Sequence, residues 1–137
     1  MSFAEAEKIL GAKVELVENS WNFTDEKTTF KCNYRAVEKD KSSGKDINLF
    51  FMLEENSTEN QAKQTYADIW NSNKNYPGIE VLSRIGDEAY WHSDKTNFLF
   101  LMARKGKFTI RFKGAKTTET VSSEELKTFT KKAIEQL

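Results

Sequence analysis

Apolar positions along this chain follow two periods, and the switches between them outline its elements. Phe3, Ala6, Ile9 and Leu10 share one helical face. Ser2 with Glu5 makes a capping box ahead of them, and Gly11 suits the left-handed residue that ends a helix. A second helix is predicted from Ser57 or Thr58, with Gln61 in the capping position and Ala62, Tyr66, Ile69 and Trp70 as its buried stripe. It is expected to end before Asn71. A third starts at Ser122, with Glu125 three residues on and Leu126, Phe129, Ala133, Ile134 and Leu137 as its stripe. Its acids Glu124 and Glu125 lie at the positive end of the helix dipole, and Lys131 and Lys132 lie towards the negative end.

Elsewhere the period drops to two. Phe30, Cys32 and Tyr34 alternate with Thr29, Lys31 and Asn33, and Phe108, Ile110 and Phe112 alternate with Thr109, Arg111 and Lys113. The first set predicts a strand with one buried face, and the second a strand with one wet face. Ile47 to Leu53 and Phe98 to Ala103 are apolar at both parities, which predicts central strands covered on both faces. Ile79 to Leu82 and Glu88 to His92 supply two more strands, while Val14 to Val17 and Trp21 to Phe23 show fainter patterns. The polar run from Glu38 to Asp46 reads as a hairpin tip. From Ile85 to Lys113, short apolar runs joined by turn residues form an antiparallel meander. The expectation is an α+β fold: an antiparallel β-sheet of about six strands flanked by helices on both faces, ordered α-β-β-α-β-β-β-β-α, with residues 1–137 as a single domain.

Composition narrows the function classes. The 21 Lys and Arg balance the 21 Asp and Glu, so no chain-wide field draws in nucleic acid. The single cysteine excludes an internal disulfide. No run is long enough to predict a membrane span, and the acids Glu5 and Glu7 do not make a basic leader. The protein is therefore expected to be cytoplasmic, or periplasmic or on the cell surface as a lipoprotein if a leader has been removed.

Candidate chemistry is sparse. His92-Ser93-Asp94 holds triad residue types, but neighbours on a strand point to opposite faces, whereas triads assemble from distant segments. Cys32 shares its parity with Phe30 and Tyr34, which makes it a core residue rather than a reactive thiol. Asp87-Glu88 and Glu54-Glu55 are acid pairs at strand ends, and Asp87 after Gly86 suits a turn in which the carboxylate accepts backbone N–H groups. Arg104, Lys105, Lys107, Arg111, Lys113 and Lys116 form a basic block interleaved with Phe108 and Phe112. Those two rings carry the buried parity and are not expected to stack on bases. No catalytic residue, metal ligand or cofactor site is predicted. The candidate ligand-binding residues are Tyr66, Trp70, Tyr76, Tyr90 and Trp91, as the lining of an aromatic pocket between the second helix and the sheet.

Gly86-Asp87-Glu88-Ala89-Tyr90-Trp91 followed by Phe98 to Gly106 resembles a family of uncharacterised bacterial exported domains, many of them lipoproteins. Ala6 to Gly11 and Cys32-Asn33-Tyr34 are similar to the same family. Its architecture resembles PsbP-like domains and the Ran-release-factor fold. The resemblance implies an antiparallel sheet between helices and an accessory or binding role without catalysis. The leading expectation is thus a non-catalytic binding or accessory domain from an exported bacterial protein, with an unknown protein or small-molecule partner and a lipid anchor, if any, outside this chain. The alternatives are a carrier of small apolar ligands and an unrecognised hydrolase or thiol enzyme. Open sheet edges add an expectation of homodimerisation.

Overall fold

In the computed structural model, residues 1–115 and 118–137 are described. Three helices form where the caps place them: α1 (Phe3–Leu10), α2 (Glu59–Asn73) and α3 (Ser123–Glu135). Glu5 N donates to Ser2 Oγ, and the Glu5 carboxylate accepts from Ser2 N at 2.7 Å. Thr58 and Gln61 reciprocate in the same way at α2, and Ser122 Oγ accepts from Glu125 N at α3. Each pair satisfies backbone donors that the first turn leaves open. α2 runs past Asn71 because Ser72 and Asn73 donate back to the carbonyls of Asp68 and Ile69.

The strands are β1 (Val14–Phe23), β2 (Lys27–Ala36), β3 (Asn48–Asn56), β4 (Ile79–Val81), β5 (Glu88–Ser93), β6 (Leu99–Lys105) and β7 (Phe108–Gly114). They make one sheet, ordered β1-β2-β3-β7-β6-β5-β4, with every pair antiparallel. The α+β class and the helices on both faces are as expected. The strand count is seven, not about six. The two faint patterns at Val14 and Trp21 fuse into the single strand β1, whose alternation breaks at a register shift between Leu16 and Glu18. The centre of the sheet is β7, between the doubly apolar β3 and β6.

Register assigns the two faces. Cys32, Phe51, Phe112, Leu101 and Trp91 pair in series across the sheet and face α1 and α3. That side holds the larger core, with Phe112 and Leu126 fully buried. On the other side Lys31, Met52, Arg111, Met102 and Tyr90 form one row, and Asn33, Phe50, Lys113, Phe100 and His92 the next. α2 packs on the Tyr90–Met102 end of those rows. The face of β7 expected to be wet is only partly so, since Thr109 is fully buried.

One turn shows how the meander closes. Gly86 has φ +60°, and a Cβ there would lie 2.4 Å from the Arg104 carbonyl. Only glycine allows this approach. It delivers Asp87 and Glu88 to Arg104, whose buried guanidinium bonds both carboxylates and the Gly106 carbonyl. Asp87 also accepts from Gly106 N at 2.7 Å, the backbone-accepting role expected of it.

Candidate functional site

The five aromatic residues predicted as a pocket lie in three places. Tyr66 and Trp70 of α2 meet Tyr90 edge-on, with centroids at 5.9 and 5.1 Å. Tyr90 is fully buried and Tyr66 nearly so. The rings fill the gap between helix and sheet. Burial pushes both phenols up, that of Tyr90 to about 12 against the opposing effect of Asn73. Tyr76 lies outside this cluster, exposed and stacked on His92 at 6.2 Å. Trp91 neighbours Tyr90 on a strand and so points to the opposite face, into the α1–α3 core, with Lys127 Nζ 5.5 Å from its ring.

The other candidate chemistry is occupied with structure. His92 packs edge-on against Phe98, and its Nε2 lies 3.2 Å from the Pro77 carbonyl. Ser93 Oγ donates to the Phe98 carbonyl, and Asp94 accepts from the amides of Thr96 and Asn97. Those backbone donors hold the Asp94 carboxyl far below its usual range. Cys32 is buried among core residues, and burial pushes its thiol up to about 11. Among the described residues, no group of three or more His, Cys, Asp or Glu is placed to hold a metal ion, and no helix is long and apolar enough to cross a membrane.

The basic block is dispersed. Arg104 is buried on its acids, Lys107 pairs with Glu55, Lys105 donates to the Glu135 carbonyl, and Lys116 lies outside the described residues. Arg111 and Lys113 project from β7 onto the α2 face. The apolar residues beside them come from the neighbouring strands. Phe50 is flanked by Asn33 and Lys113, Met52 by Lys31 and Arg111, and Phe100 lies next to Lys113.

These residues line a cavity of about 370 Å³ on the part of the face that α2 leaves open. Phe50, Met52 and Phe100 make an apolar floor, Phe50 being 38% exposed. Lys31, Arg111 and Lys113 bring cations to the lining, and Glu18 of β1 brings a carboxylate. Glu54, buried beside it, takes Arg111 Nη2 on one oxygen and Lys27 Nζ on the other. A larger hollow of about 740 Å³ opens among the loops at Gly11, Glu38–Ser42, Lys95 and Thr118–Thr120. Its rim mixes both charges and lacks an aromatic floor, so the sheet-face cavity is the better-formed candidate.

Sequence reasoning missed Phe50, Met52 and Phe100 as site residues because apolar residues on both faces of a strand signal cover on both faces. The usable signal was numerical. Two helices were available for one face and one for the other, and one helix does not roof a wide sheet. No family model, curated protein or solved structure was found to match the chain, so the site stands on its geometry.

Proposed function

We propose that this chain is a non-catalytic binding module that takes a small ligand on the open half of the α2 face. The observation that carries the reading is the 370 Å³ hollow floored by Phe50, Met52 and Phe100. Its volume lies within the ~300–1,000 Å³ of small-molecule sites, and apolar walls with few polar groups suit such a role. The resemblance of the Gly86–Trp91 segment to exported accessory domains supports the same reading and an exported setting. The neutral dye N-phenylnaphthylamine should brighten on binding the native protein. Phe50→Ser should lose most of that signal while leaving the thermal transition nearly in place, because this ring is partly solvated. Dye binding that ignores Phe50→Ser would remove the site.

Homodimerisation would use an outer edge, and β1 is the long one. Its ten residues carry Glu15 and Glu18, no lysine or arginine, and a register shift beside Glu18. Acidic side chains on the edge and irregular register both oppose edge-to-edge pairing. Sedimentation equilibrium is expected to give a monomeric mass at rising concentration, even with Trp21 and Phe23 exposed. A dimer dissolved by Trp21→Lys would restore the edge as an interface.

A further inference from the structure

Resting on the binding reading above, we infer that the ligand of the sheet-face cavity is an anionic amphiphile: a small molecule with an aromatic or aliphatic body and a carboxylate, phosphate or sulfonate group. The register sets this out. Apolar and cationic residues alternate along both rows, with Met52 between Lys31 and Arg111 and Lys113 between Phe50 and Phe100. Lys31 and Arg111 start two strand spacings apart, about 10 Å, and Arg111 and Lys113 two residues apart, about 7 Å. Three long cationic side chains are therefore interleaved with the apolar residues of the floor.

The cations are not neutralised in equal measure. Arg111 gives Nη2 to Glu54, yet its buried Nε meets no acceptor. Among the described residues, Lys31 and Lys113 make no ion pair and no side-chain hydrogen bond. The carboxylate of the lining, Glu18, takes a hydrogen bond from Ser20. With Arg111 paired to Glu54, the two lysines against Glu18 still leave the lining positive within a chain whose formal net charge is zero. Cations set among apolar side chains favour a ligand that supplies a negative group at one end and apolar surface at the other. A polyanion would gain less, since the rest of the chain offers no positive field along which to extend.

The test uses two probes that share one aryl body: anilinonaphthalene sulfonate, which is anionic, and neutral N-phenylnaphthylamine. The sulfonate should bind at least about 10-fold more tightly, a gap of ~1.4 kcal/mol, and should lose that margin at high salt. Lys31→Gln with Lys113→Gln should bring the sulfonate down to the level of the neutral dye, whose own affinity should change far less. Both lysines are exposed, so folding is kept and is checked by thermal unfolding. Equal binding of the two dyes, or indifference of the sulfonate to the double variant, overturns the anionic assignment while the site survives on its Phe50→Ser sensitivity. Loss of the Phe50→Ser effect removes the binding reading itself. Displacement of the dye by oligothymidylate at lower phosphate concentration than by an aryl carboxylate overturns the small-ligand assignment in favour of single strands.

Discussion

Phe112→Ala should lower the free energy of unfolding by about 3–5 kcal/mol, the range for removing a buried phenylalanine and leaving a cavity. Phe112 sits on the central strand β7 and is fully buried. Its ring lies 5.0 Å from that of Phe51 and 5.8 Å from that of Phe129 on α3, so its loss unseats a helix as well as a strand. The neighbours cannot collapse into the space, because two strands fix the backbone on either side. A domain of this size is held by roughly 5–15 kcal/mol, so the variant should show a much lower urea midpoint or be partly unfolded in buffer. Phe23→Ala supplies the contrast. That ring is 72% exposed at the sheet edge, and its removal should move the midpoint little. Equal effects at the two positions would mean the core has been misassigned.

Glu54→Ala should cost about 2–3 kcal/mol. Breaking a buried ion pair costs roughly 3–5 kcal/mol when the remaining charge is trapped. Here Lys27 and Arg111 keep 39% and 23% of their side-chain surface in water and can rehydrate in part, which trims the loss. The carboxylate bonds Lys27 at 2.7 Å, Arg111, and Thr109 Oγ1 at 3.4 Å. Burial pushes its carboxyl up, but the two cations together outweigh burial and hold it below its ordinary value of 4.5. A carboxyl lowered on folding stabilises fully above its unfolded pKa, and that contribution is lost as pH falls through the folded pKa. Denaturation of the native protein should therefore show stability falling as pH drops below about 4.5, and Glu54→Gln should flatten that fall. An unchanged pH profile in the variant would show that other carboxyls dominate it.

Local rules were readable wherever partners are close in sequence. Ser2 with Glu5, Thr58 with Gln61 and Ser122 with Glu125 start the helices where expected, because a cap and its partner lie within one turn. The parity of Phe30–Cys32–Tyr34 and of Phe108–Ile110–Phe112 held, because a pleat alternates whatever it packs on. β1 was read as two faint pieces because its register shift breaks the alternation mid-strand. The aromatic pocket failed at Trp91 for a simple reason: Tyr90 and Trp91 are neighbours on one strand and face opposite layers.

The amino-acid pattern alone determined the element types, the helix starts, the inward parity of most strands and the antiparallel α+β class, since each follows from contacts a few residues apart. The tertiary structure alone decided that β7 lies at the centre, that Glu54 reaches Arg111 across 57 residues, and that Phe50, Met52 and Phe100 look onto an open hollow. The reason is coverage. A helix is about 10 Å across, and strands are spaced about 4.8 Å apart. One helix over seven strands must leave part of the face bare. Which part is fixed by long-range pairing, and no window of sequence contains it.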